Sequence, residues 1–131
     1  MKTINTLAII DDDDIYQYGV KRTLSATQLV HNIITFSDGQ EALDFFAANF
    51  DNAEALPDLV FLDLNMPIVD GWQFLERYVT LKEKIKKNVA IYVTSSSKNP
   101  DDLLKARNIE EVCDYIVKPF TLERFREIIE R

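Results

Sequence analysis

The stretch Leu59-Val60-Phe61-Leu62-Asp63-Leu64-Asn65-Met66-Pro67 constrains this chain more than any other. Its four leading apolar residues, with Pro57 and Pro67 bounding the run, suit a short strand buried on both faces. Strands of that kind belong to parallel sheets covered by helices, and ligands of open α/β sheets gather at the carboxyl ends of the strands. Asp63 stands where this strand should end. Alone it would be an ordinary turn residue, so the other strands decide its meaning.

Taken in order, Leu7-Ala8-Ile9-Ile10 reads as a first buried strand that runs into four consecutive acids, Asp11 to Asp14. Asp13 or Asp14 can cap a helix with Tyr16, Val20 and Leu24 toward the core. Ile33-Ile34-Thr35-Phe36 is a second strand, and Ser37-Asp38-Gly39-Gln40 has capping-box spacing before a helix with Ala42, Leu43, Phe46 and Ala47 on one face. Residues 49–56 read as a surface loop. After the central strand, Asp70-Gly71-Trp72-Gln73 offers a second capping box, followed by Phe74, Leu75, Tyr78 and Val79 at helical spacing. Val89-Ala90-Ile91-Tyr92-Val93 is a fourth strand that delivers Thr94, Ser95, Ser96 and Ser97 to its carboxyl end. Asn99-Pro100 opens a helix through about Asn108. Tyr115-Ile116-Val117 is the fifth strand, ending in Lys118-Pro119, and Leu122, Phe125, Ile128 and Ile129 stripe the last helix.

Five alternations of strand and helix imply right-handed crossovers and a parallel sheet with helices on both faces. The 131 residues fit one domain, 1–131, with no repeat and no linker. A net charge of -7 argues against non-specific binding to nucleic acid or to anionic membranes, and no basic reading helix is visible. Cys113 is the only cysteine, which excludes an intrachain disulfide and a cysteine-based metal site and suits a reducing compartment. No apolar run approaches the ~20 residues that cross a bilayer, and the first residues lack the apolar core of a signal peptide. A cytoplasmic location is the expectation.

In a parallel sheet all the strand ends lie at one edge. Asp11 and Asp12, Asp63, Thr94 and Ser95, and Lys118 should therefore meet there. Two carboxylates about 4 Å apart repel by ~4 kcal/mol at an effective dielectric of 20, so three need a counter-charge. Lys118 supplies one positive charge, and a divalent cation would supply the rest. Oxygen donors without His or Cys suit Mg²⁺ (or Mn²⁺) rather than zinc.

Ile9-Ile10-Asp11-Asp12-Asp13, Leu62-Asp63-Leu64-Asn65-Met66-Pro67, Asp70-Gly71, Val93-Thr94-Ser95 and Tyr115-Ile116-Val117-Lys118-Pro119-Phe120 resemble the motifs of response-regulator receiver domains of the single-domain, chemotaxis-regulator kind. The resemblance runs from about Leu7 to Ile129 with the motifs in the family's order. It implies a flavodoxin-like, doubly wound (βα)5 fold with strand order 2-1-3-4-5. It also implies that Asp63 is the phosphoacceptor, that Asp12 and Asp63 bind Mg²⁺ directly and Asp11 through a water, and that Asn65 lends its backbone carbonyl. Lys118 and the metal would offset charge on the phosphoryl oxygens, and Thr94 would donate its hydroxyl to them. Ser95 is small enough to leave an approach path, and Lys118-Pro119 is expected in cis. Tyr115 is expected to turn inward when Thr94 moves, coupling the site to a face made by the fourth helix, fifth strand and fifth helix.

The function so implied is two-component signalling: phosphoryl acceptance from a sensor histidine kinase or histidine phosphotransfer protein, and contact with a downstream protein. The chain would catalyse only its own phosphorylation and dephosphorylation, without turnover of another substrate. An aspartyl-phosphate phosphatase is the competing enzyme reading, but the position two residues after Asp63 holds Asn65, which has no carboxyl proton for a leaving group. A phosphate-independent interaction module is the other competitor. A flavin site fits poorly, since the first strand ends in acids that would repel the flavin phosphate. His31 reads as a surface residue ahead of the second strand, Cys113 as a small buried filler ahead of the fifth, and Trp72 as a half-buried reporter near the acids.

Overall fold

The computed structural model describes residues 3–96, 98–119 and 121–130. Ser97 and Phe120 lie outside the described residues. Five strands, β1 (Ile4–Ile10), β2 (Val30–Phe36), β3 (Leu59–Asp63), β4 (Ala90–Ser95) and β5 (Val112–Val117), alternate with α1 (Asp14–Thr27), α2 (Gly39–Ala48), α3 (Gly71–Lys82), α4 (Pro100–Arg107) and α5 (Leu122–Ile129). They form one parallel sheet in the order β2-β1-β3-β4-β5. This is the doubly wound, flavodoxin-like arrangement.

Strand alternation sorts the core into two layers. Ala8, Ile10, Val60, Leu62, Ile91 and Val93 pack with α2, α3 and α4, whereas Leu7, Ile9, Leu59, Phe61 and Tyr92 pack with α1 and α5. All five residues of β3 are buried, as its unbroken apolar run requires of a central strand. Its register places Ile10 beside Leu62 and Asp63 beside Thr94. The ends of β1, β3 and β4 are therefore immediate neighbours, and whatever follows them is brought together.

The helix starts are set by side-chain caps. Asp13 caps α1 by accepting from the Ile15 and Tyr16 N–H groups at 3.0 and 3.1 Å. Asp70 and Gln73 form the expected capping box of α3. At α2 the cap lies one residue later than the spacing suggests. Asp38 accepts from the Glu41 N–H at 2.9 Å, and the Glu41 carboxylate reaches back to the Ser37 N–H at 2.8 Å.

Several local expectations are corrected. β1, β2 and β5 each begin earlier than their apolar runs, because pairing with a neighbour continues through polar residues. His31 and Cys113 consequently lie inside β2 and β5, the two edge strands, and both are exposed; Cys113 is no buried filler. Ala47 and Val79 face solvent, since the stripes of α2 and α3 are narrower than their composition. Leu56, at the end of the 49–56 connection, is fully buried. Lys87 holds this connection, donating to the Ala53 and Leu56 carbonyls at 2.8 and 2.7 Å while pairing with Asp58 at 3.1 Å. Among the described residues no helix is long and apolar enough to cross a membrane.

Candidate functional site

The carboxyl edge of the sheet gathers the acids. Asp11, Asp12 and Asp63 each offer a carboxylate oxygen, and these three atoms lie within 4.8 Å of one another. Asp11 and Asp63 are buried and Asp12 is exposed. Asp11 is fixed from two sides: its Oδ1 accepts the Asp13 N–H at 2.9 Å and its Oδ2 receives Lys118 Nζ at 2.8 Å. The same Nζ lies 3.7 Å from Asp63 Oδ1, which also accepts the Asn65 N–H at 3.3 Å.

Thr94 and Ser95 are buried and belong to β4 itself, not to a loop beyond it. Their carbonyls secure the neighbouring site segments, accepting the Leu64 N–H at 3.3 Å and the Lys118 N–H at 2.8 Å. The Lys118-Pro119 peptide is cis, as expected, and Pro119 is exposed. Asn65 is exposed on the loop that leaves β3. Trp72 is half-buried at the start of α3 with Lys105 Nζ 4.4 Å over its ring.

Tyr115 is buried, 6% exposed, in the layer that contains Val93, Ala106 and Leu103.

Three carboxylates against one ammonium leave this cluster two charges negative. The carboxyl of Asp63 responds by moving from its ordinary 3.8 up to about 6, through burial first and then the charge of Asp11, opposed by Lys118 and the Asn65 N–H. A divalent cation matches both the missing charge and the donor chemistry, which is carboxylate oxygen with no His or Cys in the cluster.

Two residues contribute here beyond the sequence expectations. Tyr16, expected in the core, is only half-buried, and Lys118 Nζ lies 4.2 Å from the centre of its ring. Burial and the charges of Asp11 and Asp63 push its hydroxyl well above the ordinary range. Gln17 is the α1 residue that is buried instead, its side-chain amide donating to the Asp11 carbonyl and, at 2.9 Å, to the Phe36 carbonyl. A glutamine next to an apolar face carries no periodicity signal, so only its position after the acids could have drawn attention to it.

The response regulator receiver domain family matches residues 7–130. The chain belongs to this family. It is 32% identical over 124 residues to the probable C4-dicarboxylate response regulator DctR of Bacillus subtilis, covering 94% of this chain and 50% of DctR. This receiver domain thus spans about half the length of that relative. Among solved structures, a two component response regulator from Cytophaga hutchinsonii superposes with a TM-score of 0.89 at 26% identity, covering 98% of this chain and 96% of that one. The Mn(2+)-bound form of response regulator Rcp1 shares the fold, with a TM-score of 0.74 at 23% identity and coverage of 96% and 89%.

Proposed function

We propose that this receiver domain accepts a phosphoryl group on Asp63 from a phosphohistidine of a sensor histidine kinase or phosphotransfer protein, in the cytoplasm. The observation that carries this is the placement of a buried Asp63 carboxylate between two further acids and a single ammonium. An Asp63 oxygen attacks phosphorus, the P–N bond to the donor imidazole breaks, and its electron pair returns to that nitrogen; an acyl phosphate is left on Asp63. Lys118, held by Asp11, is in reach of the transferred oxygens. Thr94, beside Asp63 in the sheet, can donate its hydroxyl to them, and the small Ser95 leaves room.

Asp12, Asp63 and the Asn65 carbonyl would hold Mg²⁺ (or Mn²⁺, the ion of the Rcp1 form), with Asp11 acting through a water, and the bound ion supplies positive charge opposite the phosphoryl oxygens. The output would leave through α4, β5 and α5, where Leu104 and Val117 are exposed apolar residues suited to a protein partner. Thr94 and Tyr115 are the proposed coupling residues.

Intact mass after acetyl phosphate treatment tests this. One phosphoryl addition is expected with Mg²⁺, none with EDTA, and none in Asp63→Asn. Addition that persists in Asp63→Asn would overturn the assignment.

A further inference from the structure

Among the described residues, the Lys118 ammonium meets two acids and one aromatic ring. Its Nζ is 2.8 Å from Asp11 Oδ2, 3.7 Å from Asp63 Oδ1 and 4.2 Å from the centre of the Tyr16 ring. The ring is itself held. Tyr16 lies in the first turn of α1, its N–H donates to Asp13 Oδ1, and it packs against the apolar layer shared by α1 and α5. Tyr16 also lines a groove of about 260 Å³ together with Pro119 and Leu122.

We propose that Tyr16 is a positioning residue for phosphoryl transfer: the face of its ring fixes the Lys118 ammonium over Asp63. The inference rests on Asp63 being the phosphoacceptor. A lysine stem has four carbons and many rotamers, and the ion pair with Asp11 alone would leave the ammonium free to pivot about that carboxylate. A third carboxylate would stop the pivoting but would also cancel the charge that the phosphoryl oxygens need. An aromatic face attracts the cation through its quadrupole, adds no formal charge, and leaves the N–H groups pointing elsewhere free to donate. The cation then waits where negative charge will develop, which is the condition for electrostatic stabilisation without reorganisation.

The test compares wild type, Tyr16→Phe and Tyr16→Leu, with Tyr16→Met in place of the leucine variant if that one folds poorly. The phosphorylation rate with acetyl phosphate and saturating Mg²⁺ should fall on the order of tenfold without the ring and stay near wild type in Tyr16→Phe. Mg²⁺ affinity by calorimetry should be the same in all variants, because Tyr16 holds no metal ligand. By NMR, the Lys118 ε-methylene protons should lie upfield in wild type and Tyr16→Phe and move downfield in Tyr16→Leu. A wild-type rate in Tyr16→Leu, or a Tyr16→Phe variant as slow as Tyr16→Leu, overturns the proposal. If the wild type itself takes no phosphoryl group, the reading of Asp63 fails instead, and the NMR shift still decides whether the ring holds Lys118.

Discussion

A methyl group on Gly71 would stand 2.6 Å from the Asp63 carbonyl oxygen and 2.7 Å from the Leu64 Cα. Both obstacles are backbone atoms, and the Gly71 N–H donates to the Leu64 carbonyl at 3.0 Å. The first turn of α3 is thus pressed onto the strand end that carries Asp63. Gly71→Ala should displace that strand end, lower stability by roughly 1–3 kcal/mol and weaken Mg²⁺ binding. Gly19, in the middle of α1, has open space around its Cα, and Gly19→Ala should raise stability by about 1 kcal/mol through helix propensity. Urea unfolding of the two variants checks the contrast; a Gly71→Ala midpoint at or above wild type would remove the packing argument.

The raised carboxyl of Asp63 makes stability depend on pH in a definite direction. The folded chain holds this proton up to about pH 6, the unfolded chain only to about 3.8. Protonated Asp63 therefore contributes stability that is complete below the lower value and is lost as pH rises through the upper one, an effect of ~3 kcal/mol for a shift of about two units. Asp63→Asn has no charge to bury. In EDTA at about pH 7.5 it should melt higher than wild type, with the advantage gone near pH 4. Mg²⁺ should raise the wild-type melting temperature at neutral pH and do less for Asp63→Asn. Identical melting temperatures at neutral pH without metal would show that the carboxylate is not under strain.

What could be read from the sequence follows from what the pattern encodes. The buried run of β3 and the caps at Asp13, Asp70 and Asn99 each combine a composition signal with a local geometric one, and the fold follows from their order. The acids and Lys118 could be placed together because a parallel sheet brings all strand ends to one edge. Edge-strand limits could not be read, because β2 and β5 extend through polar residues on backbone pairing that asks nothing of the side chain. The roles of Tyr16 and Gln17 are hidden for a different reason. Tyr16 fits an inward position at helical spacing and Gln17 carries no apolar signal, so only the three-dimensional contacts tell a ring that supports an ammonium from one that fills a core, or a buried amide from a surface one.

Gln17 offers a test of how Asp11 is held. Its amide is buried and satisfies the Asp11 carbonyl, while the Phe36 carbonyl it also meets has a second donor in the Asp11 N–H at 3.0 Å. Gln17→Leu should therefore orphan chiefly one buried carbonyl and reduce stability by roughly 1–3 kcal/mol. Gln17→Glu should be worse at neutral pH, because it sets a carboxylate against those carbonyls beside an already acidic cluster. Thermal melts of both variants at neutral and acidic pH check this, with the glutamate variant recovering as pH falls. Equal stability of Gln17→Leu and wild type would mean that β1 and β2 ends need no clamp.

The proposed output face carries a switch prediction that the burial of Tyr115 sharpens. Tyr115 is packed in the α3 and α4 layer, so Tyr115→Ala should cost roughly 3 kcal/mol in stability, whereas Tyr115→Phe keeps the packing. Neither change touches Asp63, and both variants should be phosphorylated by acetyl phosphate at close to the wild-type rate. Adjacent Asp114 joins Arg107 of α4 at 3.8 Å and Arg124 of α5 at 2.8 Å across β5. These pairs are partly exposed, so Asp114→Asn should change stability by less than about 1 kcal/mol, and less still at high salt. Its effect should appear in coupling instead. On phosphorylation, the amide signals of Leu104 and Val117 should shift together in wild type, and the shifts should shrink in Tyr115→Ala and separate in Asp114→Asn, where α4 and α5 are no longer tied through one carboxylate. Unaltered shifts in Tyr115→Ala, with Asp63 fully phosphorylated, would mean that the site reaches this face by a route that does not pass through the ring.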